Sequence, residues 1–226
     1  MFLSLYSRIP RSFIRLALRF LPGVRFLQLQ TLVFSDYCPG KTPIVYVFAN
    51  TTHNQFSSSW AAAQLLQEDL VDYIVCCNGE TKHGYCGYQF CRGEVLSHGA
   101  PGDKIVPLVL PLTENVNTLS EAHFLVRLAK AQGWKKIRVC APPFHILRAF
   151  LTTVSVALKE YPELKIYSAV GKSLNWQESC VHSQGVITGP RTELLLWEYA
   201  GLIKYRAQGD LASARKILRY MEKRDS

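Results

Sequence analysis

The chain has 226 residues, 48% of them hydrophobic and 12% aromatic, which suffices for a packed domain and excludes a wholly disordered chain. Its net charge of +9 sits mainly at the two ends. Arg8, Arg11, Arg15, Arg19 and Arg25 precede the first acid, Asp36, while Arg215, Lys216, Arg219, Lys223 and Arg224 close the chain. With mixed charges between and no zinc-finger, RRM or basic-aromatic pattern, nucleic acid is not the expected partner.

Residues 8–21 place four arginines at steps of three and four, so that one helical face is basic while Phe13, Ile14, Leu16, Leu18 and Phe20 cover the rest. The arginines interrupt any apolar run long enough to span a bilayer, and Pro22-Gly23 is expected to end this helix. Three readings stay open for the segment: peripheral contact with an anionic membrane, an acid-free organelle presequence, and packing on the domain.

From Pro43 onward, strands and helices alternate. Pro43–Ala49 is a nearly continuous apolar run, expected to be a strand buried on both faces, and a polar turn at residues 50–54 follows. The further expected elements are a helix from Ser57 to Gln67, a strand over Val71–Cys77, a helix over Gln89–His98 and a strand over Ile105–Leu110. A helix over Thr118–Gln132 is stopped by Gly133. A strand over Lys136–Cys140 is broken by Pro142-Pro143, a helix spans Phe144–Tyr161, and a fifth strand spans Leu164–Ala169. A last helix runs from Arg191 to about Gln208, with Trp197, Tyr199 and Leu202 expected to pack. The pattern predicts an α/β domain over residues 37–209 with a mostly parallel sheet of about five strands. A basic N-terminal extension (1–36) precedes it and a C-terminal basic helix (210–226) follows.

In such a domain the loops after the strands share one edge of the sheet, where ligands bind. Asn50, Thr51, Asn78, Gly79, Glu114, Asn117, Thr118, His145 and Arg148 all fall there. Asn117-Thr118 opens a helix whose positive end favours an anion, and Thr118-Leu119-Ser120-Glu121 reads equally as a capping box with Thr118 as cap. His145 and Arg148, three apart in the first turn of the next helix, can supply a proton-transferring imidazole and an anion anchor. GxGxxG, P-loop, GxSxG and HExxH signatures are absent from the sequence.

The seven cysteines lack a regular framework and point to a reducing, cytoplasmic setting. Cys76, Cys77, His83, Cys86 and Cys91 contain no CxxC pair and their spacing is loose, so no metal is assigned.

The motifs Asn117-Thr118 with Glu121-Ala122, then Phe144-His145-Ile146-Leu147-Arg148-Ala149, together with the closing WEYAGLIKYRAQG, resemble the YdcF-like family, which includes the SanA and ElyC envelope proteins. The likeness spans residues 71–209. It implies a Rossmann-like three-layer sandwich with a polar pocket at the strand ends, and it sets Glu198 at the family's acidic position. One member is reported to bind S-adenosylmethionine, so that cofactor enters through the resemblance alone. The sequence departs from the family at Ser59, where an arginine is usual, and at Leu112, where the family's acid falls although Glu114 is close. The expected function is an enzyme or enzyme-like binder of a nucleotide-like or phosphate-bearing metabolite, with His145 and Glu121 as catalytic groups. The alternatives are a non-catalytic, membrane-peripheral binding module and an S-adenosylmethionine-binding protein or methyltransferase.

Overall fold

A computed structural model describes residues 22–81, 84–111, 115–182 and 187–226; the amphipathic segment 8–21, His83, Leu112 and Glu114 lie outside them. Pro22-Gly23 opens a helix, α1 (Pro22–Phe34). Proline's fixed φ and missing N–H suit a first helical turn, and the helix that this pair was expected to end lies outside the described residues. Then follow β1 (Thr42–Val47), α2 (Thr52–Gln67), β2 (Val71–Asn78), α3 (Tyr88–Ser97), β3 (Ile105–Val109) and α4 (Thr118–Ala131). The chain continues through β4 (Lys136–Ala141), α5 (Ile146–Glu160), β5 (Lys165–Val170), β6 (Ser179–Val181), β7 (Thr188–Pro190), α6 (Arg191–Ala207) and α7 (Ala214–Asp225). Helix α2 begins five residues before the expected Ser57, so most of the polar turn at 50–54 is helical.

Strands β1 to β5 form one parallel sheet in the order β3-β2-β1-β4-β5, and β6 and β7 pair antiparallel in a separate ribbon that the sequence pattern does not reveal. Period-two alternation sorts each strand onto two cores. Ile44, Tyr46 and Phe48 of the β1 segment, with Val75 and Cys77 of β2, face a cluster containing α4, α5 and Leu29 and Val33 of α1. Val45, Val47, Ile74 and Cys76 face the opposite cluster, against Ala61–Ala63 of α2 and Cys91 and Val95 of α3. The result is a Rossmann-like three-layer sandwich, as expected.

The terminal elements share the first core. Ile217, Tyr220 and Met221 of α7 are buried in it, and Arg224 of α7 pairs with Asp36 through bonds of 2.6 and 2.9 Å. On α6, Leu202 is buried and Tyr199 meets Phe26 of α1 edge to face, but Trp197 is 53% exposed, correcting its expected packing role. Among the described residues no helix is long and apolar enough to cross a membrane.

The strand order creates one topological switch point. The connections from β1 through α2 and β2 through α3 wind to one side, whereas α4 crosses back to β4 and α5 follows on the other side. The carboxyl ends of β1 and β4 therefore flank the crevice in which doubly wound sheets hold ligands.

Candidate functional site

The start of α4 is held by Asn117. Its Oδ1 accepts hydrogen bonds from the Leu119 and Ser120 amides at 2.9 and 3.0 Å, and the Asn117 amide donates to Ser120 Oγ at 3.1 Å, completing a capping box. The expected box of Thr118 and Glu121 is thereby shifted one residue back. The shift frees both side chains for longer-range partners. Asparagine caps at least as well as threonine because its carbonyl oxygen reaches two first-turn amides.

Glu121 turns inward, only 2% exposed, where one carboxylate oxygen accepts from Tyr46 OH at 2.7 Å and from the Ala49 amide at 2.8 Å. It thus ties α4 to the carboxyl end of β1. Burial pushes its carboxyl up to about 7, against the two hydrogen bonds and the Arg148 charge, which pull it down.

Thr118 Oγ1 accepts from Arg148 Nη1 at 2.6 Å. The guanidinium also grips Glu198 of α6 in a two-point fork, Nε to Oε2 at 2.5 Å and Nη2 to Oε1 at 2.9 Å. The same Oε1 lies 3.2 Å from His145 Nδ1 and 2.9 Å from His182 Nε2. An ionised carboxylate only accepts, so both facing ring nitrogens are assigned as N–H donors. His145, at the N-cap of α5, is 1% exposed. Burial lowers its pKa, an effect that the nearby Arg148 charge reinforces and Glu198 opposes. Its imidazole is therefore neutral at pH 7, with Nδ1 protonated and Nε2 carrying the lone pair. Burial acts to raise the Glu198 carboxyl, but the Arg148 charge and the hydrogen bonds from Arg148 and His145 outweigh it and hold the group well below the usual carboxylate range.

A cavity of about 280 Å³ opens beside this network. Its walls include Asn117, Thr118 and Leu119 from the start of α4, Arg148 and Thr152 of α5, and Tyr205, Asp210 and Leu211 at and beyond the end of α6. Its chemistry is mixed: a guanidinium and the positive end of α4 suit an anionic group, while Asp210, Thr152 and Tyr205 suit ligand hydroxyls. His145 and Glu121 are buried behind this wall and do not line the cavity.

Of the sequence-derived site residues, Asn117, Thr118 and Arg148 come together at the cavity, and Glu198 joins His145 to Arg148. The rest do other work. Asn50 Nδ2 donates to Phe48 O at 2.8 Å, its buried Oδ1 having no hydrogen-bond partner among the described residues, and Thr51 Oγ1 donates to Val181 O at 3.1 Å. The side chain of Asn78 is exposed while its carbonyl receives the Leu110 amide. Gly79 is a close-packing position, since a β-carbon there would lie 2.5 Å from Val116 Cγ2. Sequence reasoning misses His182, Tyr205 and Asp210. His182 follows the short strand β6 in a stretch without periodicity, and the other two reach the cavity only through the docking of α6. Cys76 and Cys77, adjacent in sequence, point into opposite cores, so they do not share a site.

Comparison with protein-family models gives no match, and comparison with curated proteins gives none.

Proposed function

We propose that the chain is a YdcF-like protein that binds a phosphate-bearing metabolite with free hydroxyls, such as a sugar phosphate or nucleotide, at the carboxyl edge of its sheet. The observation that carries this reading is the Thr118–Arg148 hydrogen bond on the wall of the cavity. It brings the positive end of a helix and a guanidinium to one opening that Asp210, Thr152 and Tyr205 also line. Because Glu198 already engages the guanidinium, Arg148 contributes an oriented donor rather than an uncompensated charge.

In the enzymatic form of this reading, His145 Nε2 is the proton acceptor, oriented through Nδ1 by Glu198, and Glu121, with its carboxyl near 7, is a second proton-transfer group. A second reading, a binding module without turnover, is favoured by the burial of His145 away from the cavity wall. S-adenosylmethionine remains a candidate through the family resemblance alone, and peripheral membrane contact would rest on residues 8–21.

The test is thermal-shift screening of the full chain against nucleotides, sugar phosphates, polyprenyl phosphates and S-adenosylmethionine, since a ligand that binds only the folded state raises Tm. A phosphate-bearing hit whose shift is lost in Thr118→Val supports the cavity. A hit that the substitution leaves unchanged, or no hit in the phosphate classes, overturns the proposal. Turnover of a hit that disappears in His145→Gln while binding persists separates enzyme from binding module.

A further inference from the structure

On the opposite side of the sheet from the Glu198 network, two cysteines far apart in sequence are brought face to face. Cys76, in the second half of β2, and Cys91, in the first turn of α3, have their Sγ atoms 2.9 Å apart. Both side chains are sealed in the core formed by α2 and α3. That separation is less than about 1 Å from the ~2.05 Å of a disulfide bond. Gln55 of α2 closes the group, its Nε2 lying 3.3 Å from Cys91 Sγ and its Oε1 3.9 Å from Cys86 Sγ. Cys86 is the partly exposed member of the trio, on the loop between β2 and α3.

We propose that Cys76 and Cys91 form an oxidisable dithiol that closes to an intramolecular disulfide, with Cys86 as the thiol through which a small-molecule disulfide enters. Cys86 as thiolate attacks one sulfur of the reagent, forming a mixed disulfide and expelling one reagent thiol. Cys91 then displaces the second reagent thiol from Cys86, and Cys76 attacks Cys91 Sγ, returning Cys86 to the thiol form. In sum the two protein thiols lose two protons and two electrons, and the reagent disulfide gains them as two thiols.

The disulfide ties the end of β2 to the start of α3 and fastens the loop that holds Cys86. The inference does not depend on the proposed ligand, because the pair lies across the sheet from the cavity. Its rate has a predictable sense. The hydrogen bond to Cys76 and burial push the Cys91 thiol well above its ordinary value, and burial pushes Cys86 up to about 12, so exchange quickens as pH rises.

The experiment treats the native full chain with oxidised glutathione and maps an unreduced digest by mass spectrometry. The expected product is the Cys76–Cys91 linked peptide, lighter by two hydrogens, reversed by dithiothreitol and accompanied by a higher Tm. It should be absent in Cys91→Ala and slowed several-fold in Cys86→Ser. A glutathione adduct on Cys86 as the sole end product, or a link joining any other pair, overturns the dithiol. An unchanged rate in Cys86→Ser overturns the entry route. Should the native chain not react at all, refolding from denaturant in the same glutathione buffer decides: a refolded chain without the Cys76–Cys91 link overturns the proposal.

Discussion

Arg148 and Glu198, fifty residues apart in sequence, meet in a two-point ion pair inside the protein, with side-chain exposures of 5% and 2%. Removing one partner of such a pair strands the other charge in a medium that solvates it poorly. Glu198→Gln keeps the volume but not the charge. It is expected to destabilise the fold by about 3–5 kcal/mol, read as a lower midpoint in urea unfolding. Arg148→Lys should not restore the wild-type midpoint, because an ammonium cannot reproduce the fork.

The cap of α4 separates two roles that lie side by side. Asn117→Ala removes the acceptor for two first-turn amides and should cost about 1 kcal/mol in equilibrium unfolding. Thr118→Val leaves the cap intact but removes the oxygen that Arg148 Nη1 uses, at an expected cost of about 1–3 kcal/mol. An unchanged midpoint in Thr118→Val would show that the link across the cavity wall contributes nothing to the fold.

Glu121 sets a pH dependence of known sign. Its folded value of about 7 lies above the ordinary 4.5, so the folded chain retains the proton where the unfolded chain has lost it. The stabilising contribution is complete below the unfolded value and disappears as pH rises towards 7. The wild-type chain should therefore lose stability from this group between pH 5 and 7, by roughly 3 kcal/mol for a shift of this size. Glu121→Gln should lack that loss, so the stability difference between the two proteins changes in favour of the variant as pH rises. Glu198, held low, acts in the reverse sense, losing its contribution as pH falls. Comparing the two proteins at each pH cancels it.

His145 offers a direct spectroscopic check. Nitrogen-15 NMR at pH 7 should report a neutral ring protonated at Nδ1, and the charged form should appear only below the ordinary histidine value. A ring protonated at Nε2 alone would remove the orientation by Glu198 on which the proton-acceptor role rests.

The local elements were legible because their causes are local. The apolar run Pro43–Ala49, the helical spacing from Leu119 to Ala129, the stop at Gly133 and the break at Pro142-Pro143 act over a few residues. They led to five strands, the intervening helices and a common carboxyl edge. Helix α1 escaped because Pro22-Gly23 serves equally as an end or a beginning, and whether Leu29 and Val33 are buried depends on α5 and α7 packing against them.

The sequence by itself determined the class of fold and the edge where polar residues collect, since period, capping and crossover length are written within single segments. Only the tertiary structure decided how those residues were partnered. It moved the cap from Thr118 to Asn117, sent Glu121 to Tyr46 and Ala49, and brought Glu198 and His182 to His145 and Arg148. A buried charge takes the counter-charge that the packed chain delivers to it, and a delivery over fifty residues leaves no trace in local spacing.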